Sequence, residues 1–226
     1  MTTITEDFLL LVLDGTTGKP RLDSSSLPLG LAGGVLLDLS LAGRVVVPGR
    51  GAPDAGRVVV VPGPPLGHPV LDGALSVLAG DKPRKPETAV SRLSKNLRDA
   101  VFASLEARGL VRRHERKVLG IFPSTAWPAT SPSVGDDARQ RLWATLVLGQ
   151  DPDAPTAGLV ALLLATDSLH KALPGQDRRA LEQRAKQVSA GSWAAESTRK
   201  AISAVQAAIM ASVMVATTAA ATTTSS

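Results

Sequence analysis

Residues 157–166 read Ala157-Gly158-Leu159-Val160-Ala161-Leu162-Leu163-Leu164-Ala165-Thr166, and no charged side chain interrupts them. A helix at a protein surface shows one apolar stripe, whereas a segment apolar all round needs neighbours on every side. This stretch therefore predicts the central helix of a bundle, within a helical segment over Ala157–Leu173. Asp151-Pro152-Asp153 stands before it with carboxylates suited to capping. Helical patterns flank it at Asp136–Gly149, at Arg178–Gly191 and from Glu196 onward.

The amino-terminal two thirds are more mixed. Thr5 reads as an N-cap, with Glu6 and Asp7 in the favoured first turn of a short helix that stops at Asp14-Gly15-Thr16-Thr17-Gly18. Leu27–Leu41 predicts a second helix ended by Ala42-Gly43. Within it, Gly30-Leu31-Ala32-Gly33-Gly34 lies in apolar helical sequence and reads as close helix packing, not as a phosphate cradle. The β-branched runs 44–47 and 57–61, separated by a Pro/Gly loop, read as an antiparallel pair.

A short helix is expected over Val70–Ala79 and a longer one over Pro86–Arg108. In the longer one Leu93, Leu97, Val101 and Leu105 recur at four-residue spacing and Gly109 is the natural stop. Leu110–Arg113 and Lys117–Phe122 read as strands of a hairpin around a charged tip. The fold class is mainly α: a compact single-domain helical bundle (1–216) with short β-strands, a protruding β-hairpin and a disordered tail at 217–226. Ala201–Ala221 carries no charge, but Ile202, Val205, Ile209 and Val213 fall on one stripe, which suits a core helix better than a membrane span.

Composition removes several function classes. The chain of 226 residues has no cysteine, so thiolate catalysis, disulfides, Fe–S clusters and cysteine zinc sites are excluded. His68, His114 and His170 lack metal-ligand spacing and read as ordinary surface or loop residues. There is no P-loop, dinucleotide fingerprint or nucleophile elbow, so the reading is of a protein that is not an enzyme and needs no cofactor. The amino terminus lacks a basic region before its apolar run, which predicts a cytoplasmic protein. Abundant Ala, Arg, Gly, Pro and Val with few Asn and Ile suggest the codon bias of a GC-rich bacterial genome.

Charge is concentrated. Residues 82–117 hold eleven Lys and Arg against four acids, while the whole chain has a net charge of +5. Such a field favours polyanions. Arg92, Lys95 and Arg98 recur every three residues, so on a continuous helix they line one side and can grip a phosphate monoester. Arg112, Arg113, Arg116 and Lys117 extend the surface along the hairpin. Read locally, a helix followed by a basic hairpin is also the arrangement of a winged-helix nucleic-acid binder. Its recognition helix would be Phe102-Ala103-Ser104-Leu105-Glu106, which offers little to reach a groove.

Taken in order, Thr5–Leu11, the block from Gly30 to Arg44, the Leu97–Leu110 helix and Asp151–Leu173 resemble the Golgi phosphoprotein 3 family. The resemblance spans Ile4 to Thr217, and its most specific piece is Leu39-x-Leu41-Ala42-Gly43-Arg44. It implies a largely helical single domain with a projecting hairpin. It also implies binding of phosphatidylinositol 4-phosphate on the cytoplasmic face of a membrane. Eukaryotic members act as adaptors that retain glycosyltransferases, so a membrane-protein cargo is a further implied partner. The family's paired basic residues match Lys95 and Arg98, whereas its pocket tryptophan and arginine fall at Asp23 and Ala32. Losing that arginine removes one charge-assisted contact, about 1.5–3 kcal/mol, so the implied ligand is an anionic phospholipid surface, most specifically that lipid or a relative. The hairpin matches the family's membrane-inserting and oligomer-forming element. Here its expected basic tip touches headgroups, and a homo-oligomer is the associated expectation.

Overall fold

The computed structural model describes residues 2–80, 82–118, 122–191 and 196–223, with side chains omitted at 116–118, 122–124, 196–199 and 214–223. In chain order the elements are α1 (Ile4–Val12), α2 (Ser26–Leu41), β1 (Val45–Val46), β2 (Val59–Val60), α3 (Pro69–Ala79), α4 (Pro86–Leu93) and α5 (Leu97–Ala107). Then come β3 (His114–Val118), β4 (Phe122–Ala126), α6 (Asp136–Leu146), α7 (Ala154–Ala165), α8 (Leu169–Ala172), α9 (Arg178–Ala190) and α10 (Glu196–Thr223).

The all-apolar segment forms α7, with Leu159, Val160, Ala161, Leu162 and Leu163 almost wholly buried. It packs against α1, α2, α9 and α10, and shares the centre with α2, which also meets α4 and α5. The small residues of α2 serve this crossing. A Cβ on Gly30 would lie 2.5 Å from the Phe8 ring, and one on Gly33 would lie 2.2 Å from Ile209. Asp153 caps α7 by accepting the Thr156 N–H at 2.8 Å.

Four local expectations need correction. The N-cap of α1 is Thr3, not Thr5: a capping box pairs the Thr3 side chain with the Glu6 N–H, and the Glu6 side chain with the Thr3 N–H. Thr5 lies inside the helix and its hydroxyl donates to Asp38 at 2.6 Å. The expected helix over Ala157–Leu173 is two helices. Thr166 closes α7, Asp167 takes a left-handed φ of 51°, and the Ser168 N–H reaches back to the Leu163 carbonyl at 2.8 Å.

The expected helix over Pro86–Arg108 is likewise broken, at Ser94-Lys95-Asn96, where Asn96 adopts φ 62°. Asn tolerates this conformation better than other residues with a Cβ. The leucine spacing runs through the break because α4 and α5 bury Leu93 and Leu97 on either side of it. Lastly, the hairpin does not reverse at its basic residues. The register pairs His114 with Ala126 and Val118 with Phe122, so the reversal falls between Val118 and Phe122. The Val111–Ala129 bridge continues the same register toward the bundle. The apolar residues Val118, Leu119, Ile121 and Phe122 read from the sequence as core; Leu119 and Ile121, and the side chains of Val118 and Phe122, lie outside the described residues.

Other expectations match directly. Val45 and Val46 pair antiparallel with Val60 and Val59. Gly43 and Gly109 end α2 and α5 with φ of 67° and 69°. The Arg44 and Leu110 N–H groups return to the carbonyls of Leu39 and Leu105. Ile202, Val205 and Ile209 of α10 are buried. The tail expected from 217 does not match, because α10 continues through Thr217 to Thr223. No described helix is long and apolar enough to cross a membrane.

Candidate anion-binding surface

The break between α4 and α5 decides how the first three basic residues are displayed. Arg92 is exposed in the last turn of α4, Lys95 in the connecting turn, and Arg98 in the first turn of α5. They do not line one continuous helix: Lys95 stands in the turn just before α5 and Arg98 is the second residue of α5. Asn96 provides no side-chain hydrogen bond to that end. The first N–H groups of a helix have no intrahelical acceptor and favour negative charge. Asp99 occupies the same first turn and contributes an opposing charge.

A ring stack links this end to the hairpin. The Arg98 guanidinium lies 5.7 Å from the centroid of Phe102. Phe102 stacks on Trp127 at 4.8 Å with 15° between the ring planes. The Arg113 guanidinium lies 5.8 Å from Trp127. Both rings are buried, so two exposed arginines rest on a fixed aromatic pair. Trp127 is therefore a packing residue of the domain, and its N–H donates to the Gly18 carbonyl at 2.7 Å. Gly18 has φ 65°, and a Cβ there would sit 2.2 Å from the Pro128 nitrogen, so only glycine fits this approach.

Arg112 and Arg113 are both exposed at the foot of the hairpin. The Arg112 N–H is tied to Pro128 at 3.0 Å, and Arg113 pairs with Glu115 at 2.6 Å. Arg116 and Lys117 stand on β3 opposite Ser124 and Pro123; their side chains are outside those described. The other face of α5 gives no support to groove reading, because its exposed residues include Asp99, Ala100, Ala103, Glu106 and Ala107.

The far end of α5 is held by a buried ionic cluster that the sequence pattern did not reveal. Glu6 accepts from Ser104 at 3.1 Å and pairs with Arg108, while His68 Nε2 lies 3.4 Å away. Burial opposes the charge on Glu6, but the Thr3 N–H, Arg108 and His68 outweigh it and lower its pKa. His68 is thus a largely enclosed neighbour of Glu6, not a surface histidine. Asp7 is buried too, and pairs with Arg141 at 2.6 Å. Acids in a first helical turn are usually solvated; only the later Arg108 and Arg141 could have signalled otherwise.

The two remaining positions drawn from the resemblance are now placed. Ala32 is fully buried within α2. Asp23 is exposed and accepts from Ser25 and Ser26 at the start of α2. Partial burial works against its charge, but those hydrogen bonds prevail and hold the carboxyl well below the usual range. Neither side chain offers a donor to an anion.

Residues 4–205 match the family described as Golgi phosphoprotein 3 (GPP34), and the chain belongs to that family. No curated protein matches the chain.

Proposed function

We propose that this member of the Golgi phosphoprotein 3 family is a peripheral membrane protein that binds anionic lipid headgroups and performs no catalysis. The observation that carries the reading is the amino end of α5, which the Asn96 side chain does not cap, with exposed Lys95 just before it and exposed Arg98 in its first turn. A phosphate there meets unsatisfied N–H groups, a mobile ammonium and a forked guanidinium together. Arg113, held on the ring stack, and its neighbour Arg112 widen the same surface, and each basic residue near a charged bilayer adds about 1 kcal/mol. Arg92, Arg116 and Lys117 contribute as general charge.

Headgroup choice follows from what surrounds the site. With Ala32 buried and Asp23 engaged in capping, the donors number fewer than the family's full set. The ligand is accordingly anionic phospholipid in general, and phosphatidylinositol 4-phosphate gains only from its extra charge. A membrane-protein cargo and self-association through the hairpin belong to the same proposal, as does a location on the cytoplasmic face of a membrane.

The test is vesicle co-sedimentation of wild-type protein and the double variant Lys95→Ala/Arg98→Ala, with circular dichroism to verify folding. Two lost charge-assisted contacts at about 1.5 kcal/mol each predict a fall of at least about tenfold in partitioning. Unchanged partitioning of a folded double variant rejects the site. Asp99→Asn should act in the opposite sense and strengthen binding at low salt, because it removes the nearest opposing charge.

A further inference from the structure

We propose a second ligand site, separate from the Lys95–Arg98 surface: the pocket between the turn after α1, the 129–134 loop, α6 and α8 binds a small phosphate-bearing amphiphile. Its volume is about 530 Å³, within the usual range for small-molecule sites. Three cations reach its lining from three separate elements: Arg21 from the turn after α1, Arg139 from α6 and Lys171 from α8. No carboxylate lines it.

Acids outside the lining hold two of these cations in place. Asp14 binds Arg21 at 3.2 Å, and Asp136 binds Arg139 at 2.7 Å. Among the described residues no carboxylate pairs with Lys171. The Arg21 guanidinium also lies 3.5 Å from the Lys171 carbonyl, which brings α8 and the turn together. Asp14 and Asp136 offset the charge of Arg21 and Arg139, so the positive excess comes from Lys171, while all three side chains keep N–H donors for a phosphate.

The rest of the lining selects for more than charge. Leu10, Leu11 and Leu13 back the pocket from the core, and Ala129, Pro132, Val134 and Pro174 give it accessible apolar surface. Beyond Arg139 and Pro174, which line both spaces, a second hollow of about 540 Å³ runs against Trp143. Trp143 is 41% exposed, a large apolar ring left facing water. A ligand with its phosphate among the three cations and an apolar body along these walls satisfies both halves. A bare phosphate satisfies only one.

Calorimetric titration tests this with decyl phosphate below its micelle concentration and inorganic phosphate as the comparison. The proteins are the full chain, Lys171→Gln, Arg139→Gln/Lys171→Gln and Lys95→Ala/Arg98→Ala. With the headgroup surface removed in Lys95→Ala/Arg98→Ala, decyl phosphate should still bind, one to one and at least about tenfold more tightly than inorganic phosphate. Lys171→Gln should weaken binding of decyl phosphate several-fold and the Arg139→Gln/Lys171→Gln pair at least about tenfold. Absence of saturable binding, equal affinity for inorganic phosphate, or a loss that follows Lys95 and Arg98 instead overturns the proposal.

Discussion

At the amino end of α1, Asp38 accepts hydrogen bonds from the Ile4 and Thr5 N–H groups at 2.8 and 3.1 Å, so one helix is capped from the last turn of another. Burial pushes its carboxyl up to about 6, partly opposed by those hydrogen bonds and reinforced by Glu6. The folded state therefore binds this proton more readily than the unfolded chain, and stability rises as pH falls through about 6 toward the ordinary value of 3.8. Glu6 has the opposite sign: its contribution is present above its ordinary 4.5 and is lost as pH falls through its lowered folded value. Thermal melts should thus show Tm increasing from pH 7 to about pH 5 and declining in stronger acid. Asp38→Asn should flatten the rise and keep the decline; a rise that survives in Asp38→Asn contradicts the assignment. Arg108→Ala should cost about 3 kcal/mol by leaving Glu6 buried without its main partner, the low end for such pairs because Arg108 reaches water. Urea unfolding measures it.

Among the elements, what could be read depended on whether the signal was local. Gly43 and Gly109 marked helix ends because the left-handed conformation favours glycine, and both stand there. The breaks at Asn96 and Asp167 were not legible, since the apolar spacing continues across each and neither residue carries glycine's signal. The hairpin register was misread for a related reason: the run Arg112-Arg113-His114-Glu115-Arg116-Lys117 has turn-like polarity, but it lies on the strand and its approach. Substitutions at two positions probe these elements. Asn96→Gly should be tolerated, while Asn96→Ala should lose about 1 kcal/mol from a left-handed residue and weaken vesicle binding as the turn rearranges. Gly30→Ala should cost about 1–3 kcal/mol by forcing the buried Phe8 ring, despite the better helix propensity of alanine. Chemical denaturation of both variants measures these losses.

For the whole molecule, the mainly α bundle was legible because α7 is apolar on every side and α10 is apolar on one stripe. The concentration of charge was equally plain, and it located Lys95, Arg98, Arg112 and Arg113. Their assembly was not, because it depends on Phe102 meeting Trp127 across 24 intervening residues. Nor could sequence spacing show that Arg21, Arg139 and Lys171 line one pocket. In the proposed function, the end of α5 and the hairpin foot bind anionic headgroups by charge and by N–H groups that Asn96 leaves uncapped. Vesicle co-sedimentation at near-physiological salt tests it most directly, using neutral vesicles, vesicles with a generic anionic lipid, and charge-matched vesicles with phosphatidylinositol 4-phosphate. The account predicts little binding to neutral vesicles, comparable binding to both anionic mixtures, and loss of both in Lys95→Ala/Arg98→Ala. Binding that ignores vesicle charge, or survives intact in that folded double variant, contradicts it.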